Sequence, residues 1–305
     1  MMGTEGFTLH GKVILMGEHS VVFGAPALAV PLPRGTDFFV TPLGKSNRIQ
    51  LDPDPVSHHG AIEKILATEI SHEGFSLSCP RGLPAGAGLG MSALLSVALV
   101  RAAARFSRVE KSEGELHEIA RKLETHFHGN PSGIDDTTVW YGVPVLLQKP
   151  RIAMAVPFPH TLLEPSLALI RPPALPLLVG DSMERIATRV MVERLGKRLT
   201  GPGRATFVER MGASIERFCA AWGQEKYDAM GKEMNAAQEE YRALGLSTER
   251  IDAMVETARR VGAWGAKLSG SGGGGVVVAT GSPKALSDLE SAWSSMGCDI
   301  ISSVD

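Results

Sequence analysis

Asp135 follows Asn130-Pro131-Ser132-Gly133, four residues that favour a tight turn. A carboxylate fixed just beyond a rigid turn can take a proton from a hydroxyl group. An aspartate at that place can equally cap the next helix. Lys12 stands among Val13 and Leu15 in a β-like run, 11–16. A lysine so placed can lower the pKa of an attacking hydroxyl or pair with Asp135, or it can protect a strand edge. His19 can hydrogen-bond a carboxylate or hydroxyl, or hold its own loop. Glu124 lies in 113–127, where Leu116, Ile119, Ala120, Leu123 and Phe127 recur at helical spacing. At about 100° per residue it falls at the edge of that apolar stripe, while Glu115, Glu118, Arg121 and Lys122 point away. Glu124 is therefore expected at a lobe boundary, ligating Mg2+ or closing a salt bridge.

Two glycine-rich segments add a different chemistry. Gly86-Ala87-Gly88-Leu89-Gly90-Met91-Ser92 precedes an apolar helical stretch. Convergent backbone amides and a helix N-terminus make an anion cradle there, although a tight loop entering a buried helix reads the same way. No Gly-Lys-Ser/Thr follows, and Met91 takes the place of a third glycine, so neither the Walker A loop nor the dinucleotide fingerprint is met. Ser92 can cap that helix or ligate Mg2+. The second segment, Lys267 to Gly275, holds five glycines from Gly270 onward, which implies that a phosphate or a substrate needs the backbone there; a flexible hairpin tip is the alternative.

The elements that must carry these groups read as helices and strands mixed. Helices are expected over 92–106, 113–127 (stopped at Gly129), 184–198, 205–222, 227–244, 247–261 and 283–296. Strands are expected over 11–16, 175–180, 265–268, 275–280 and 299–304. The proline-rich text from Pro150 to Pro176 is the expected domain crossover. The pattern is α+β, and 305 residues fit two lobes. A net charge of −2 gives no field favouring nucleic acid or an anionic membrane, so an anionic ligand must be gripped locally. No apolar run reaches 18 residues, and the first residues show no signal-peptide core. Cys79, Cys219 and Cys298 are widely spaced, which points to a reducing cytoplasm. Oligomeric state, monomer or homodimer, is not legible.

Taken in order, GKVILMGEHSVVFG (11–24), PAGAGLGMSA (84–93) and KLSGSGGGG (267–275) resemble the three signature motifs of the GHMP kinases, and HGNPSGID (128–135) resembles the mevalonate kinase branch. The resemblance runs from about residue 8 to residue 280. It implies a two-lobed fold, with a ribosomal protein S5 domain 2-like N-terminal lobe (1–173) and a ferredoxin-like C-terminal lobe (174–305). The implied activity is ATP- and Mg2+-dependent phosphorylation of mevalonate, a step in isoprenoid precursor synthesis. Asp135 matches the catalytic base, and Lys12 the lysine beside it. Pro84, Gly86, Ala87, Gly88, Leu89, Gly90, Met91 and Ser92 match the ATP phosphate loop. Gly270, Gly272 and Gly273 match the third motif, which supports the phosphates. Ser92 and Glu124 match the Mg2+ residues. Glu18, His19, Ser132, Gly133 and Thr188 match substrate positions. Met91 departs from a usual serine, His10 from a usual proline, Asp136 from a frequent asparagine and Val143 from a common glycine. Another GHMP kinase, acting on phosphomevalonate, homoserine or a sugar, stays open, as does a catalytically silent sensor on the same fold.

Overall fold

A computed structural model describes residues 3–44, 47–52, 58–107, 110–128, 131–148 and 156–303. The expected helix stop at Gly129, together with Asn130, Pro150 and Val304, lies outside the described residues. In chain order the first half holds β1 (Glu5–Leu9), β2 (Lys12–Met16), a short 3-10 helix (Ser20–Phe23), β3 (Ala27–Pro31), β4 (Thr36–Gly44), β5 (Ile49–Asp52), α1 (His59–Glu69), β6 (Gly74–Ser78), α2 (Met91–Arg105), α3 (Glu113–His128), α4 (Ile134–Tyr141) and β7 (Val145–Leu147). The second half holds β8 (His160–Glu164), β9 (Leu167–Ile170), β10 (Leu177–Asp181), α5 (Thr188–Arg198), α6 (Gly201–Gly223), α7 (Tyr227–Ala243), α8 (Glu249–Arg260), β11 (Gly265–Ser269), β12 (Val276–Thr280), α9 (Pro283–Ser295) and β13 (Asp299–Ser302).

These elements form two compact units that are interleaved along the chain. The first comprises Met1–Lys12, Gly35–Pro84 and Gly90–Gly142; the second comprises Val13–Arg34, Ala85–Leu89 and Val143–Asp305.

In the first unit a sheet of order β1-β4-β6-β5 packs with α1 to α4. β4 alternates buried and exposed residues over its first half, as a strand covered on one face should. Its Phe38 and Val40 join Phe75 and Leu77 of β6, Leu66 of α1, Val97 of α2, Leu123 of α3 and Trp140 of α4 in one core. α2 is buried nearly all round, from Ala93 to Ala103, which is the expected fate of a helix with no polar face.

The second unit has two sheets, β2-β3-β7-β9-β8 and β11-β12-β10-β13. The text expected to be a crossover instead supplies an antiparallel hairpin, β8 with β9, whose prolines fall outside the two strands. β10 pairs antiparallel with β12 and β13, and α7, α8 and α9 cover that sheet. α7 approaches β11 where two glycines meet. A Cβ on Gly231 would lie within 1.9 Å of the Trp264 carbonyl oxygen, so nothing larger fits. α5 starts at Thr188, four residues later than expected, because Asp181 accepts from the Met183 amide at 2.8 Å and bends 182–187 into a loop.

Candidate active site

Within the first unit Lys12 and Asp135 meet. Lys12 begins β2, and its side chain is 6% exposed; Nζ lies 3.0 Å from Asp135 Oδ1. Asp135 is the second residue of α4, so its carboxylate sits in the first turn, where the helix dipole favours an anion. The turn before it is Gly133, at φ +82°, with Ser132 exposed and accepting from the Ile134 amide through its hydroxyl at 3.4 Å. A third of the Asp135 side chain stays exposed, so the carboxylate sits at the surface while its lysine is buried.

The helix is fixed from behind. Asp136 is fully buried, with Oδ2 3.0 Å from His117 Nε2 and 3.2 Å from Arg121 Nε, both on α3. Its Oδ1 has no hydrogen-bond partner among the described residues.

Ser92 donates to Glu124 Oε1 at 2.9 Å, and Ser96, one turn further along α2, lies 3.4 Å from Oε2. Glu124 is 1% exposed. It faces α2 inside the first unit, deeper than its position at the stripe edge implied. Burial pushes its carboxyl up to about 7, opposed by the Ser92 hydrogen bond and reinforced by the negative charges of Asp135 and Asp136. The loop enters this region through Gly90, at φ +76°, the N-cap of α2 and without a side chain that could cap it. A Cβ on Gly90 would come within 3.0 Å of Lys12 Cγ, so the missing side chain makes room for the lysine stem. Met91 turns into the core, with its methyl end beside Gly82. Pro84 is half-buried at the other end of the loop.

Ala85 to Leu89 belong to the second unit and pack on the third glycine segment. A Cβ on Gly88 would lie 3.6 Å from Gly270 Cα, and one on Gly275 would lie 3.2 Å from the Ala87 oxygen. Gly86 is exposed, whereas Ala87 and Leu89 anchor the loop in the interior. Gly272 and Gly273 have φ of +72° and +69°, and Cβ atoms on them would meet the Leu246 oxygen and the Met191 sulfur. Close packing against protein thus explains these two glycines; Gly270 is the one that faces Gly88. Arg185 hangs over the same loop. Asp181, fully buried, holds its guanidinium at 2.7 Å, and Nε points to the Ala85 carbonyl at 3.5 Å.

In the same unit His19 Nε2 lies 2.9 Å from the Ser271 carbonyl, and exposed Thr188 places Oγ1 3.2 Å from Ser271 Oγ. Burial lowers the His19 pKa, which keeps the imidazole neutral at pH 7. Glu18, expected to meet substrate, is 3% exposed, and its carboxylate is already held by Lys267 Nζ and by Tyr241 Oη, the latter at 2.9 Å. Sequence reading missed Lys267, Tyr241, Ser271, Asp181 and Arg185. For Lys267 a signal existed: a lone lysine between Ala266 and Leu268 in an apolar strand, the same pattern that singled out Lys12.

Residues 58–142 match the GHMP kinases N terminal domain, and 217–297 match the GHMP kinases C terminal domain. The mevalonate kinase of Aeropyrum pernix is 30% identical over 290 residues, which cover 88% of this chain and 86% of the relative. The chain belongs to the GHMP kinase family. The Pyrococcus furiosus mevalonate kinase is 28% identical over 304 residues, again covering 88% of this chain and 86% of that one. The fold agrees with the L. major mevalonate kinase solved in complex with R-mevalonate, at a TM-score of 0.76, 24% identity, and coverage of 97% of this chain and 92% of the other. The matched GHMP N-terminal segment contains Ser92, Glu124 and Asp135, and the C-terminal one contains Lys267 and the glycines after it.

Proposed function

We propose that the protein transfers the γ-phosphoryl group of ATP to the C5 hydroxyl of (R)-mevalonate, giving 5-phosphomevalonate and ADP. The observation that carries the chemistry is the buried Lys12 amine set 3.0 Å from the carboxylate of Asp135. The acceptor rests on the relatives, named mevalonate kinase, that align with most of this chain. The two family matches fall on either side of residue 173, which supports an N-terminal lobe, 1–173, and a C-terminal lobe, 174–305.

In this reading Asp135 accepts the hydroxyl proton as the C5 oxygen bonds to the γ-phosphorus. The bond from that phosphorus to the bridging oxygen breaks, and ADP leaves with the electron pair. Lys12 holds Asp135 in place and donates to the attacking oxygen. Amides of residues 86–92 face the phosphate oxygens and need not reorganise as negative charge shifts, which is where most of the rate of phosphoryl transfer arises. Thr188 and His19 contact the acceptor.

The donor set fits Mg2+. Ser92 and Glu124 offer oxygen only, and burial disfavours the ionised form of the Glu124 carboxyl despite the Ser92 hydrogen bond and the charge of Lys12, so a cation there would favour it. Among the described residues no three His, Cys, Asp or Glu gather into a cage. When bound there, the cation would offset charge on the phosphate oxygens. No helix among the described residues is long and apolar enough to cross a membrane. The three cysteines are free and buried, which supports a reducing, cytoplasmic setting.

Replacing Asp135 by Asn tests the base. A general base contributes about 10²–10⁴-fold, so kcat should fall by at least about a hundredfold with the fold intact. A loss of only a few-fold would remove Asp135 from the role.

A further inference from the structure

Glu18, Lys267 and Tyr241 form a charged network with no route to solvent. Lys267 and Tyr241 are each 0% exposed, and Glu18 is 3% exposed. The Lys267 amine reaches the Glu18 carboxylate and also donates to the Leu268 carbonyl at 2.6 Å. It lies 5.7 Å from the centroid of the Tyr241 ring. Tyr241 donates to the other carboxylate oxygen of Glu18 and presents its ring edge-on to His19, centroids 6.3 Å apart. Burying an ion pair recovers little stability over an apolar filling of the same shape, so stability alone is a poor reason for one here.

The geometry supplies another reason. His19 follows Glu18 directly and has φ +59° with ψ −44°, the centre of a γ-turn closed by the Ser20 amide on the Glu18 carbonyl, a strained conformation that a residue with a Cβ adopts only when its surroundings impose it. Its Nε2 faces a carbonyl oxygen, that of Ser271, and must therefore carry the proton. In the neutral ring Nδ1 is then an acceptor, suited to an alcohol and not to a carboxylate. Lys267 and Ser271 lie in the same segment, since Lys267 belongs to β11 and Ser271 follows its end. Ser269 closes a second link, exchanging hydrogen bonds of 3.0 Å with the amide and carbonyl of Ile14 on β2. The network thus ties the backbone that bends at His19 to the strand that carries its partner.

We propose that Lys267 and Tyr241 are positioning residues for the acceptor alcohol: through the Glu18 carboxylate they lock His19 in the pose and tautomer that accept a hydrogen bond from an acceptor hydroxyl. This deepens the reading of His19 as an acceptor contact and rests on it. Glu18 then acts through His19 and does not itself touch the substrate.

The test compares Lys267→Met, Glu18→Gln, the double variant and Tyr241→Phe, reading melting temperature, KM for each substrate and the ¹⁵N shifts of the His19 imidazole. Each single change at the ion pair lowers the melting temperature, and the double variant regains it, since no lone buried charge is left. KM for the acceptor stays raised about tenfold or more in the double variant and in Tyr241→Phe, because a small misplacement of a binding group costs that much. KM for ATP should move less than about twofold, against that tenfold effect. The ¹⁵N shifts show a single Nε2–H tautomer in the wild type and a mixture in the double variant. An acceptor KM that recovers together with the melting temperature, or both KM values rising alike, overturns the proposal. So does an unchanged tautomer in the double variant. The tautomer readout needs no substrate, so it separates failure of this proposal from failure of the mevalonate assignment.

Discussion

Glu124 is under two opposing demands. Its hydrogen bond from Ser92 and its place beside α2 suit a carboxylate that accepts a cation, yet burial favours the neutral form and raises its pKa from 4.5 to about 7. The folded value lies above the unfolded one. The stability it contributes is therefore complete below about 4.5 and is lost as pH rises through about 7. In the absence of Mg2+, Glu124→Gln should accordingly melt higher than wild type at pH 8, and the two should converge at pH 5. Added Mg2+ should raise the melting temperature of the wild type at pH 8 and leave that of the variant unchanged. Below pH 7 half-saturating Mg2+ should climb roughly tenfold per pH unit, since the ion must displace a proton. A variant less stable than wild type at pH 8 would show that the fold prefers the ionised form. A pairing of Lys12 with Asp135 was one of the alternatives that residue type and spacing left open, and it is the one the structure contains. The burial of Glu124 was not, because the stripe of α3 shows which face is apolar and not that α2 brings Ser92 and Ser96 against its edge.

Among the elements, α2 and α3 lie within a residue of their expected limits, because long apolar periodicity and flanking glycines leave few alternatives. α4 has eight residues, nearly all buried, so its text carries no amphipathic signal. The β8–β9 hairpin was hidden by prolines that turn out to flank its strands. The junction between loop and α2 carries its own prediction. Gly90→Ala must place a Cβ at φ +76° and 3.0 Å from Lys12 Cγ. The lysine stem should yield, and kcat should drop about tenfold or more for a shift of this kind, with a modest loss of melting temperature. An active variant with wild-type kcat would show that Lys12 tolerates displacement and is not tightly set by the loop.

At the scale of the whole molecule, the order of the three glycine-bearing segments was enough to place the chain in its family, and the family matches agree. How the chain divides was less legible. The first unit takes up 1–12 and 90–142 while the second takes up 85–89, so the glycine-rich segment 84–92 passes from one unit to the other twice within eight residues. No composition shift marks such a crossing. The tertiary pairing of Glu18 with Lys267, 249 residues apart, was likewise beyond reach of local pattern. Acceptor identity is the claim on which the account turns. ADP release by the purified protein with Mg·ATP, measured against (R)-mevalonate, phosphomevalonate, homoserine and galactose, tests it directly. The account predicts turnover with (R)-mevalonate alone. Turnover with another of these acceptors, and none with mevalonate, would contradict it.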